Sequence, residues 1–207
     1  MRSPADLERT LVAVPRVSFL GTLYRRVRLV ALFGAKGSGT SIQLTRVPPE
    51  FLYAGGNGGR TNRFTYVGGP LTLYLAVDEA TAQAETADGL PLGPTAVYGV
   101  QVNLRYILDL TDAAIRRQLR TSVAELTGPL LHKPGDPPLP SHVLAQAIVD
   151  SQRFSSILYP SARRRRGGVC LSVYPELLSP GEFIQVQDPS GVFSEERVNG
   201  SSDWIET

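Results

Sequence analysis

Hydrophobic and polar positions along this chain change period several times, and the changes mark out its elements. Residues 23–33 are rich in β-branched and aromatic side chains with partial alternation, which predicts a strand carrying arginines on one face. Residues 71–77 form a short apolar run and predict a buried strand. Asp78 then stands as a good N-cap, and the alanine-rich stretch 79–87 predicts a helix with Glu85 near its C-terminal end. Residues 97–108 predict a further strand. Thr111 is placed to cap a helix running to about Leu126, and Ser141 one running to about Gln152. Short strands are expected at 156–159, ending at Pro160, at 168–174 and at 183–186. Between these elements, residues 128–140 hold five prolines and two glycines and predict an extended connection. Short strands interleaved with about three helices predict an α+β fold, not a doubly wound parallel sheet.

Composition narrows the class. The chain has 207 residues, 42% hydrophobic and 19% charged, with 20 glycines and 16 prolines, which suits one loop-rich domain over 1–207 with a sizeable core. Lysine and arginine number 21 against 19 acidic residues. That near balance gives no sign of direct nucleic-acid binding. No apolar run is long enough for a membrane span, and the N-terminal residues lack the apolar stretch of a secretory signal. The single cysteine, Cys170, can form no internal disulfide and fits a reducing cytoplasm, where the protein is expected.

Several familiar chemistries fail on spacing. The loop 34–40 contains Lys36 among glycines, but the lysine comes early and no helix signal follows, unlike a phosphate-binding loop. No Gly-x-Gly-x-x-Gly follows a strand. A serine hydrolase would need His132 or His142 to reach Ser161, without a nucleophile elbow. Two histidines and one cysteine make a poor zinc set.

Four residues stand out together. Arg63, Tyr74 and Glu85 are spaced eleven apart, and Ser161 lies in Tyr159-Pro160-Ser161-Ala162-Arg163. Taken singly, each has an ordinary explanation: a surface arginine, a core tyrosine with a satisfied hydroxyl, a solvated helical glutamate, a turn serine. Taken jointly, a guanidinium fork matches phosphate oxygens, and a carboxylate can stabilise a cation. A glutamate flanked by alanines tends to pack, and would then need a partner such as arginine.

The order of these strings resembles the RES-domain family. The likeness covers about residues 22–175, from Gly21-Thr22-Leu23-Tyr24-Arg25 through Arg63-Phe64, Leu73-Tyr74-Leu75-Ala76 and Glu85 to the Tyr-Pro-Ser-Ala-Arg string and Gly167-Gly168-Val169-Cys170-Leu171. Residues 176–207, with Trp204, are expected to be a C-terminal strand and tail. The resemblance implies an ADP-ribosyltransferase-like fold with mixed or antiparallel sheets, and a bacterial toxin that cleaves the nicotinamide–ribose bond of NAD. It implies Arg25 and Arg63 on the pyrophosphate, Tyr74 against the nicotinamide or its ribose, Glu85 facing the ribose cation, and Ser161 on the ribose or the acceptor. Arg26 competes with Arg25, and Arg60 with Arg63. No prosthetic group or metal is implied: NAD is the substrate and inorganic phosphate the favoured co-substrate, with water or a protein as other acceptors. The resemblance further implies an antitoxin partner with an Xre-like DNA-binding domain. A homodimer stays open. The run Arg163–Arg166 reads as a solvated turn, as a site for the acceptor phosphate or as a contact for an acidic partner. A non-catalytic anion-binding module is the competing reading from another class.

Overall fold

Glu182 shows how the sheet is built. The structure is a computed structural model describing residues 3–28, 35–36, 43–44, 52, 62–66, 68–86, 94–129, 138–164, 166–187 and 194–198. Its strands are β1 (Val17–Arg28), β2 (Ala35–Lys36), β3 (Gln43–Leu44), β4 (Leu73–Ala76), β5 (Thr95–Asp109), β6 (Ser156–Pro160), β7 (Val169–Val173), β8 (Phe183–Gln187) and β9 (Ser194–Val198). Seven of them form one sheet in the order β1-β4-β7-β6-β5-β8-β9, and β1 also pairs along β5. The strands β1, β4, β7, β6 and β5 therefore close into a ring. Strand β5 forks: Ile107–Asp109 run parallel to β6, while Gln101–Asn103 pair antiparallel with β8. At the fork the ladder changes partner and backbone N–H groups would be orphaned. Glu182, 1% exposed, accepts from Arg105 N at 2.6 Å and Tyr106 N at 3.1 Å, and also from Ser155 Oγ and Ser179 N.

Five α-helices lie among the described residues: α1 (Pro4–Ala13), α2 (Glu79–Glu85), α3 (Ala113–Leu119), α4 (Val123–Thr127) and α5 (Pro140–Ser151). That corrects the expectation of about three. Helix α1 has no counterpart in the sequence reading, although Ser3 caps it through Asp6 N, Pro4 opens it, and Leu7 and Leu11 are buried. The helix predicted from Thr111 to Leu126 is two helices. Arg120 takes a left-handed conformation at φ 53° and closes α3, and a Ser122–Glu125 capping box starts α4. Asp112, not Thr111, is the cap of α3. Ser141 does not cap α5: Leu139 precedes it without a side-chain cap, and Pro140 supplies the helical φ at the first position. Strand β1 begins at Val17, six residues before the predicted start. Arg60, His132, Arg165, Trp204 and most of the 34–50 loop lie outside the described residues.

Alternation along the strands splits the core in two. Leu73, Leu75, Leu171 and Val173 point to one cluster with Leu23, Val100, Val102 and Ile184. Phe64, Ile157, Tyr159, Cys170 and Tyr174 point the other way, against Leu7 and Leu11 of α1 and Leu144 and Ile148 of α5. Each fully buried leucine or isoleucine adds roughly 1.5–3 kcal/mol of transfer free energy. Register places Ala76 beside Cys170, and Cys170 beside Tyr159, while Tyr74 lies beside Ser172. This second face is the floor of the site.

Candidate active site

Glu85 ends α2, whose N-cap Asp78 accepts from Thr81 N at 2.9 Å. Its carboxylate turns toward the loop after β6. Ser161 Oγ donates to Glu85 Oε1 at 2.5 Å, and the Arg163 backbone N–H donates to the same oxygen at 3.2 Å. Ser161 Oγ in turn accepts from Arg164 N at 2.8 Å. The hydroxyl is thus oriented by the turn, 2% exposed, and aimed at the carboxylate. Ser161 Oγ and the Arg163 backbone N–H are thus hydrogen-bond partners of Glu85, where the sequence reading looked to an arginine side chain. Two glycines shape this turn. Gly167 has φ 75°, and a Cβ on Gly168 would lie 2.6 Å from the Arg164 carbonyl oxygen and 2.9 Å from Ser161 Cβ.

Arg63 sits in a turn closed by Asn62 and Thr65. At 9% exposure it is no ordinary surface arginine, and its Nη2 donates to the Gly128 carbonyl at 3.1 Å, just past α4. Three side chains hold that turn. Tyr74 Oη accepts from Phe64 N at 2.9 Å and bonds Thr65 Oγ1 at 2.8 Å. The Phe64 ring packs edge-on to Tyr159, with centroids 4.9 Å apart. His142 Nε2 donates to the Asn62 carbonyl at 2.9 Å, which commits that nitrogen far from any serine-hydrolase role. Burial pushes the Tyr74 phenol up to about 12, against the lowering pull of Thr65, Phe64 and Arg63.

Arg25 and Arg26 lie on β1 across the cleft. Arg26 donates through Nη1 to the Gln83 carbonyl at 3.1 Å and through Nε to Thr95 Oγ1 at 3.2 Å, so it braces the end of α2. Between these walls is a cleft of about 950 Å³. Arg25, Arg26, Arg63, Tyr74, Glu85 and Arg163 line it; Ser161 reaches it through its bond to Glu85. That volume is at the upper end of small-ligand pockets. Tyr24, Tyr159 and Cys170 also line it, and the sequence reading gave them no role. A period of two sets the face of each residue within its own strand, and the pairing register then brings Tyr74, Cys170 and Tyr159 onto one face. Burial, and then the Glu85 carboxylate, push the Cys170 thiol up, so it stays protonated and makes a poor nucleophile. Among the described residues no group of histidine, cysteine, aspartate and glutamate could hold a metal ion. No described helix is long and apolar enough to cross a membrane.

Fold and cleft together define an α+β protein with a closed five-stranded ring and a pocket lined by arginines and by a carboxylate that a buried serine hydroxyl holds. Residues 41–192, most of the chain, match the RES domain, and the chain belongs to that family. It is similar in fold to a chain of the crystal structure of the M. tuberculosis MbcT–MbcA toxin–antitoxin complex, with 18% sequence identity and a TM-score of 0.60 over 93% of this chain and 92% of that one. No curated protein matches the sequence.

Proposed function

We propose that this protein is an NAD-degrading toxin that cleaves the nicotinamide–ribose bond on an ADP-ribosyltransferase-like fold, with inorganic phosphate as acceptor. The observation that carries the reading is the Ser161–Glu85 bond at the wall of a cleft also lined by Arg25, Arg63 and Tyr74. Departure of nicotinamide leaves an oxocarbenium-like cation at the ribose. A carboxylate held by fixed donors needs no reorganisation as that charge develops, which is where electrostatic catalysis gains most. Arg25 and Arg63 supply guanidinium charge for the pyrophosphate. Phosphate attack on the ribose carbon then yields nicotinamide and ADP-ribose 1-phosphate.

Transfer to water or to a protein is the second reading, and Arg163, which lines the same cleft as Glu85, is the side chain nearest in sequence to Ser161 that could meet such an acceptor. Phosphorus NMR of NAD incubated with the protein separates them. An ADP-ribose 1-phosphate signal that requires added phosphate supports the phosphorylase. Free ADP-ribose supports hydrolysis, and label from biotinylated NAD on protein supports transfer. NAD left intact by folded protein would shift the reading to an anion-binding module. A partner antitoxin, with an Xre-like DNA-binding domain, belongs to the same proposal, supported by family membership and by the likeness to a chain of a toxin–antitoxin complex. Copurification with the product of a neighbouring gene, and suppression of NAD loss by it, is the check.

A further inference from the structure

Helix α2 is only seven residues long, and a helix so short does not hold its own position. Something must fix Glu85 to within the tolerance that catalysis demands. At the N-terminal end, Arg164 Nη1 donates to Asp78 Oδ1 at 2.5 Å and to Thr81 Oγ1 at 3.0 Å. Asp78 is the N-cap of α2, and Thr81 lies in its first turn. The Arg164 backbone N–H meanwhile donates to Ser161 Oγ. One residue therefore grips the start of the helix with its side chain and the hydroxyl partner of Glu85 with its main chain. Neither Arg164 nor Asp78 lines the cleft.

We propose that the Arg164–Asp78 ion pair is a positioning clasp that sets the Ser161–Glu85 geometry, a role nothing in the family match assigns to it. This inference rests on the NAD-cleaving reading of the same site. The pair is partly open to water, with its side chains 41% and 42% exposed. An ion pair that exposed adds little to global stability. Its effect falls on the alignment of α2 with the 161–168 turn. It also divides the arginine run: Arg163 faces the cleft, while Arg164 serves the scaffold.

The test uses the full chain carrying R164A, R164K or D78N, and the double variant R164A/D78N. Asparagine keeps the capping ability of position 78 and removes the charge. R164A and D78N should each lower kcat about tenfold, within the ~10²-fold that a misplacement near 1 Å can cost. KM for NAD and for phosphate should stay near the wild-type values, and so should the melting temperature. The double variant should be no worse than either single one, because both break the same contact. R164K should recover part of the rate. Amide exchange across α2 should quicken in R164A and D78N alike. Full kcat in both variants overturns the clasp. So does a raised KM in R164A that D78N does not share, since that makes Arg164 a substrate contact. If wild-type protein leaves NAD intact, the functional reading fails on its own, and α2 exchange still decides: unchanged exchange in both variants overturns the clasp.

Discussion

Replacing Tyr74 by phenylalanine removes one oxygen and keeps the ring in the cleft wall. That oxygen accepts the Phe64 N–H at 2.9 Å and bonds the Thr65 hydroxyl at 2.8 Å, and both residues are fully buried. The N–H has no water to turn to, so its loss of a partner costs about 1–3 kcal/mol. For a chain of this size, each kcal/mol shifts the melting temperature by roughly 2–4 °C. A central loss of about 2 kcal/mol therefore predicts a fall of about 4–8 °C. The same turn aims Arg63 into the cleft. A loosened Arg63 should raise KM for NAD about five- to tenfold, corresponding to roughly 1–1.4 kcal/mol of binding. The kcat should change less. Circular-dichroism melts and steady-state NAD consumption on the same preparation read both quantities. A Y74F protein that melts with the wild type refutes the anchoring argument. Unchanged melting with a lowered kcat would instead place the hydroxyl on the substrate.

The other expectations follow from the same contacts. S161A removes the hydroxyl donor at Glu85, leaving the Arg163 N–H, and should lower kcat about tenfold to a hundredfold with a small change in KM for NAD, read by initial rates. G168A forces a Cβ against Arg164 and Ser161 and should destabilise the fold by about 1–3 kcal/mol, seen in urea unfolding, together with a loss of activity. Stability should also fall at alkaline pH. The Tyr74 phenol is raised from 10.0 to about 12, so its contribution is intact below pH 10 and is lost as pH rises through about 12. Tyr159 and Tyr174, raised by burial, act in the same direction. Y74F should show a shallower alkaline decline in denaturant midpoint.

Much of this candidate site's placement in the fold was legible because its residues sit where local rules are strong. The Asp78 cap fixed α2 and the place of Glu85, and the apolar run through Tyr74 marked its strand. Pro160 correctly ended β6 before Ser161. What failed was whatever depended on competing local signals. Thr111 and Asp112 are both good caps, and the split at Arg120 needs a left-handed arginine that no propensity announces. Helix α1 was missed because its charged residues hid a short apolar stripe at Leu7 and Leu11. The bonds that join the candidate residues were beyond sequence reasoning. Ser161 to Glu85 spans 76 positions, Arg164 to Asp78 spans 86, and only the tertiary register brings them together.

The central claim is that a serine-held Glu85 drives cleavage of NAD. Its most direct test is the rate of nicotinamide release by wild-type protein and by E85Q, with the fold of each verified by its melting curve. The account predicts turnover in the wild type and a loss of about a hundredfold or more in E85Q, in line with removing one electrostatic stabiliser. A folded E85Q protein that releases nicotinamide at the wild-type rate would contradict it.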